Sequence, residues 1–177
     1  MRNIFIIFIY FISVSSSLAD QNSSRLDPLF KELTQIKNEL AADLILAEIW
    51  SIWSKTDNEM AQEIFEEGNQ LMSKGQFEES ILTFTEVIAL QPDFAEAWNK
   101  RATVYFFNGE FEKSIQDIEK TLSLEPRHFG ALDGLAQIYF LQDKFLKAAA
   151  TYEQLLQILP FSENAKRQLE RINGQFI

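Results

Sequence analysis

The chain contains no cysteine, which excludes a disulfide framework and any thiolate metal site. Its one histidine, His128, excludes a multi-histidine metal centre. Six glycines are scattered singly, so there is no glycine-rich loop to cradle a phosphate. Basic residues are scarce, at 16 Lys and Arg against 26 Asp and Glu, and the formal net charge is −10. No basic run of the kind that follows a phosphate backbone occurs, which argues against nucleic acid and anionic lipid surfaces as partners. With neither a cysteine nucleophile nor a histidine pair, the sequence reads as noncatalytic, with no metal and no cofactor.

Hydrophobic residues make up 46% of the 177, enough for a packed core and too many for a disordered chain. The four prolines are not random. Pro92, Pro126 and Pro160 recur at one constant interval, and so do Phe77, Phe111 and Phe145. Gly75 and Gly109 keep the same step, with Asp143 in the third place. A fixed period of this length marks a repeat architecture. Each unit carries two apolar patterns of helical period, split by a short turn. In the middle unit Trp98, Ala102, Tyr105 and Phe106 share one side of a first helix, and Ile115, Ile118 and Leu122 form the stripe of a second. Asn108-Gly109 breaks the chain between them, and Pro126 ends the unit. Such a hairpin cannot bury both faces alone, so neighbours must stack.

These residues resemble the tetratricopeptide pattern, W-x2-L-G-x2-Y, then A-x3-F, then P. The middle copy gives Trp98-x2-Arg101-Ala102-x2-Tyr105, Ser114-x3-Ile118 and Pro126. The third gives Leu132-x2-Leu135-Ala136-x2-Tyr139, Ala148-x3-Tyr152 and Pro160. The first gives Ile64-x2-Glu67-Gly68-x2-Leu71, Ser80-x3-Phe84 and Pro92. The resemblance implies an all-α solenoid of helix-turn-helix repeats in a right-handed superhelix, with repeats at 61–94, 95–128 and 129–162. After Pro160, Ser162 should cap a last helix to about Ile172, whose Leu169 and Ile172 close the core.

The segment 1–19 is of another kind. Arg2 is followed by the apolar run from Ile4 to Val14 and by Ser17-Leu18-Ala19, the layout of a cleaved secretory signal peptide. The expected location is therefore periplasmic or secreted, with an uncleaved signal anchor as the alternative. The chain resembles small secreted tetratricopeptide proteins of Gram-negative bacteria. Residues 20–59 read as a helical hairpin. Asp27-Pro28 looks like a helix start. A second helix from about Glu39 to Ser54 has an expected apolar stripe of Leu40, Leu44, Ala47, Trp50 and Trp53. Phe30 and Trp50 fall one full period ahead of Ile64 and Phe84, so the hairpin reads as a degenerate repeat covering the open N-terminal end. The other reading is an independent hairpin that binds a partner through Trp50 and Trp53.

The resemblance implies that the first helix of each unit lines a concave binding surface. Facing residues would be Gln62, Phe65, Asn69, Met72 and Ser73; then Glu96, Asn99, Thr103, Phe106 and Phe107; then Gly130, Asp133, Gln137, Phe140 and Leu141. Amides can hold a peptide backbone and aromatics can anchor side chains. The expected partner-binding set is Phe65, Asn69, Met72, Asn99, Thr103, Phe106, Gln137 and Phe140. The family's clamp for a chaperone's C-terminal carboxylate is not expected, because Phe65, Gly130 and Gly134 stand where basic residues would be. Lys100, Arg101, Arg127 and His128 form the one concentration of positive charge, a candidate anion pocket or else an interhelical salt-bridge network, with Glu67 a candidate partner for Arg101. The expected function is a protein- or peptide-binding adaptor. The alternative is a structural, self-associating component of an envelope complex.

Overall fold

The computed structural model describes residues 22–36 and 39–174; the expected signal peptide at residues 1–19 lies outside them. Among the described residues all regular structure is helical. The order is α1 (Leu26–Leu33), α2 (Glu39–Trp53), α3 (Glu59–Ser73), α4 (Phe77–Leu90), α5 (Ala95–Phe107), α6 (Phe111–Leu124), α7 (Phe129–Leu141), α8 (Phe145–Ile158) and α9 (Glu163–Asn173). The fold is a helical-repeat solenoid, with hairpins α3–α4, α5–α6 and α7–α8 stacked in chain order and α9 against α8.

The period of the sequence is a period of backbone geometry. Gly75 and Gly109 take positive φ, 73° and 76°, and Asp143 takes 56° at the matching place. The helices α3, α5 and α7 end in the same pair of bonds. The N–H of Gln76, Glu110 and Lys144 reaches the carbonyl of Leu71, Tyr105 and Tyr139, at 3.0, 2.8 and 2.8 Å. The N–H of Gly75, Gly109 and Asp143 reaches Met72, Phe106 and Phe140. This is a Schellman ending, which satisfies carbonyls that the last helical turn leaves free.

Close packing inside each hairpin explains the small residues at Gly68, Ala102 and Ala136. Ser80 and Ser114 donate across the hairpin to the carbonyls of Gly68 and Ala102, at 3.0 and 2.8 Å. Phe84 lies fully buried against Gly68, where a methyl group would sit 2.8 Å from its Cε1. Burying such a side chain contributes about 1.5–3 kcal/mol.

Neighbouring first helices approach one another, α3 to α5 and α5 to α7, more closely than neighbouring second helices do. The stack therefore curves with α3, α5 and α7 on its inner side. Ser162 caps α9 by accepting from the Ala165 N–H at 3.3 Å. Ile172 is buried, with Leu169 beside it. These match the sequence expectations.

The N-terminal hairpin departs from them in three ways. Asp27 is not the cap of α1, which starts at Leu26 with no side-chain cap. The buried face of α2 carries Ala42, Ile45, Ile49, Ile52 and Trp53, while Leu40 and Leu44 are exposed by more than 80%. The helix is apolar on several sides, so its periodicity could not select the face. Finally, the hairpin does not cover the first repeat as a preceding repeat would. Its core residues join one cluster with Phe129, Leu132 and Ala136 of α7 and with residues of α8 and α9. The first repeat keeps a separate cluster around Phe65, Phe84, Val87 and Phe94. The aromatic end of α2 finds its apolar partners at the start of the third repeat, and this draws the hairpin across the inner side.

Candidate functional site

The inner side of the stack has a closed part and an open part. At the closed part, Trp53 is stacked on His128, with ring centroids 4.3 Å apart and planes 12° from parallel. Trp50 stands edge-on to Trp53, His128 and Phe129. Gly130 makes room for Trp50, since a Cβ there would lie 2.8 Å from its Cη2. Trp53 is 1% exposed and Trp50 half-buried, so neither is a free docking surface.

His128 is fully buried and defines this junction chemically. Its Nδ1 accepts from the Ala131 N–H at 3.1 Å, capping α7. A nitrogen that accepts carries no proton, so the proton of the neutral ring is on Nε2. Nε2 then donates to Glu96 Oε2 at 2.8 Å. Glu96, itself buried, also accepts from Asn99 Nδ2 at 3.0 Å, and the Lys100 ammonium lies 3.3 Å from its other oxygen. Lys100 further sits over the Trp50 ring, at 5.8 Å.

The remaining cations are paired as well. Arg101 makes a two-pronged bridge to Asp117, at 2.7 and 2.8 Å, and donates to Thr85 at 2.9 Å. Burial pulls the Arg101 pKa down, but the hydrogen bonds and charge of Asp117 outweigh it and hold it above the ordinary value. Arg127 donates to Glu125, at 2.9 and 3.0 Å, and to Asp27 at 2.7 Å, and it covers the Phe30 ring. Bonding to Glu125 is the main reason that its pKa is also raised. The candidate anion pocket is therefore corrected. Lys100, Arg101, Arg127 and His128 are all tied to carboxylates, and Arg101 meets Asp117 of the next helix rather than Glu67.

The open part carries the amides and aromatics. A cavity of about 210 Å³ is lined by Asn99, Thr103, Phe106, Phe107, Gly130, Asp133 and Gln137 among others. Beside it a larger one, about 460 Å³, is lined by Phe106, Gln137, Phe140, Leu141 and Tyr152, with Asn164, Gln168 and Arg171 from α9. Phe106 and Gln137 belong to both, so the two form one continuous trough along α5, α7 and α9. Phe106 and Phe140 are half-buried, propped against Phe111 and Phe145, each the first residue of the following helix. They thus serve packing and lining together. A third depression, about 350 Å³, separates α2 from the first repeat and takes in Gln62, Phe65, Asn69 and Lys100.

Of the expected binding set, Thr103, Phe106, Gln137 and Phe140 come together in the trough. Asn99 lines it, but its carboxamide is committed to Glu96. Phe65 is only 2% exposed and packs against Phe84 and Phe94, which removes it as a contact. Met72 packs on the first repeat's core, and Asn69 faces the third depression. The contribution of α9 was missed. Its polar Asn164, Gln168 and Arg171 recur at helical spacing, a signal that reads equally well as a solvated face.

Among the described residues no group of three or more His, Cys, Asp or Glu could hold a metal ion. Among them, too, no helix is long and apolar enough to cross a membrane.

Stacked helical hairpins, a left-handed turn at the same place in the hairpins α3–α4, α5–α6 and α7–α8, and a concave trough define the class as a helical-repeat solenoid. A family profile described as TPR repeat matches residues 68–109, and one described as tetratricopeptide repeat matches residues 99–163. Together they run through more than half of the chain, which belongs to the tetratricopeptide-repeat family. A TPR repeat-containing protein of Rhizobium etli is 33% identical over 82 residues, covering 46% of this chain and 40% of that relative's length. In fold, the chain is similar to the first TPR of Spaghetti (RPAP3) bound to an HSP90 peptide, at TM-score 0.64 and 23% identity. That match covers 68% of this chain and 95% of the other. It is also similar to the Yersinia enterocolitica type III secretion chaperone SycD in complex with a translocator peptide. There the TM-score is 0.65 at 9% identity, over 68% of this chain and 98% of the other.

Proposed function

We propose that this chain is a noncatalytic adaptor that holds an extended peptide segment in the trough along α5, α7 and α9, and that it does so in the bacterial periplasm. The observation that carries the reading is the trough itself. It is open beside the junction that Trp50 and Trp53 plug, and it is lined by Gln137, Thr103, Phe106 and Phe140. Amide groups there suit a peptide backbone, and aromatic walls give a side chain apolar area to bury. Two proteins of similar fold are seen with peptides bound, which supports the reading. The sequence of residues 1–19 supports the address.

The experiment is selection from a random dodecapeptide display library, followed by calorimetric titration of recovered peptides. Recovery of peptides that bind wild type, and lose at least tenfold affinity for a folded Phe106→Ala, Phe140→Ala double variant, is the expected result. Equal binding by both proteins would move the site elsewhere.

A second reading is self-association as a structural part. It would run through Leu40 and Leu44, exposed on one side of α2, because the tryptophans are internal. Light scattering with wild type and Leu44→Asp separates it: a dimer lost in the variant supports it, and a wild-type monomer removes it.

A further inference from the structure

Among the described residues Asp133 is the one carboxylate that lines the trough, and it lacks the counter-charge that the buried carboxylates Glu96, Asp117 and Glu125 have. Glu96 has Lys100, Asp117 has Arg101, and Glu125 has Arg127. Asp133 has Gln137 alone, whose Nε2 donates to Oδ2 at 2.7 Å. Its Oδ1 is out of reach of solvent and has no hydrogen-bond partner. Burial raises the Asp133 pKa against the pull of the Gln137 bond, and its charge helps burial to push the Tyr152 phenol up to about 12. A half-buried carboxylate with one oxygen shut off from water and no cation beside it is costly, and the cost is recovered when a cation arrives.

On the adaptor reading above, we infer that the smaller cavity takes a lysine side chain of the bound peptide, with its ammonium on Asp133 and its stem between Phe106 and Ile118. The shape supports this. The walls beside Asp133 are Ala102, Phe106, Phe107 and Ile118, which offer an apolar sleeve to four methylenes. Gln137 occupies one carboxylate oxygen and leaves the other, which matches a compact point donor better than the planar two-pronged fork of arginine. The aspartate χ2 torsion is broad and soft, so Oδ1 can turn to the cavity when the ammonium enters. The preference is opposite in sign to a carboxylate clamp, and it agrees with the net charge of −10.

The test uses peptides selected on wild type by the display experiment, resynthesised with each lysine replaced by norleucine, which keeps the stem and drops the charge. The expected result is one lysine position whose replacement costs at least tenfold in affinity for wild type and less than twofold for Asp133→Asn. The Asp133→Asn protein should melt no lower than wild type, since it replaces an uncompensated charge with a neutral group of the same shape. Three results would overturn the inference. Selected peptides without a basic residue would leave the adaptor reading standing and remove the lysine site. A lysine preference that persists in Asp133→Asn would place the ammonium elsewhere. Failure to select any peptide would remove the site together with the adaptor reading.

Discussion

Replacing His128 by alanine should cost far more than removal of one surface imidazole. Three separable losses meet at that ring. The Ala131 N–H loses its acceptor, and the loss of such a helix cap costs about 1 kcal/mol. Glu96 is left buried without its shortest donor, which costs about 1–3 kcal/mol. The stack on Trp53 disappears, worth about 0.5–1.5 kcal/mol beyond buried area. Together these give a destabilisation of about 3–5 kcal/mol, a large share of the roughly 5–15 kcal/mol by which a domain of this kind is stable. The assay is urea unfolding followed by far-UV circular dichroism, with Trp53→Ala and the double variant completing a cycle. Trp53 and His128 are in direct contact, so a coupling of about 0.5–3 kcal/mol is expected between them. His128→Asn should recover the cap but not the reach to Glu96, and so restore about 1 kcal/mol. A cost below about 1 kcal/mol, or strictly additive single changes, would refute the hairpin's docking on the third repeat.

Three further outcomes follow from particular contacts. Gly68→Ala should destabilise by about 1–3 kcal/mol in the same assay despite alanine's better helix propensity, because the new methyl group meets buried Phe84. Asp143→Gly should stabilise by up to about 1 kcal/mol, since Asp143 holds φ at 56° where its two counterparts are glycine. The pH dependence at Asp133 has a definite sign. Its pKa is raised in the fold, so the unfolded chain releases that proton at lower pH. Its stabilising contribution is therefore full in acid and lost as pH rises through the folded pKa. The stability difference between Asp133→Asn and wild type should grow from pH 3.5 to pH 7, as read from paired urea titrations.

The repeats were legible because their information is local and said three times. Pro92, Pro126 and Pro160 mark the unit ends, and Gly75, Gly109 and Asp143 mark a backbone conformation that few residues adopt freely. The hairpin was not legible in the same way. Its decisive contact joins Trp53 to His128 across the intervening repeats, with no periodic signal to announce it. The face of α2 was ambiguous because Leu40 and Leu44 continue an apolar pattern that Ile45, Ile49 and Ile52 also satisfy. At the site, composition identified the amide and aromatic lining, but partner choice did not follow from spacing. Arg101 had Glu67 one repeat behind it and Asp117 on its own hairpin, and the two-pronged geometry is met by Asp117. Asn99 looks like a free amide until Glu96 is seen beside it.

The absence of cysteine allows a direct test of where a ligand lies. A photoreactive benzophenone can be attached to a single cysteine introduced at Gln137, inside the trough, or at Leu82, exposed on α4 outside it. With a display-selected peptide at saturation, irradiation should crosslink the peptide through position 137 and leave position 82 without product. Crosslinking through position 82 with none at 137 would contradict the account.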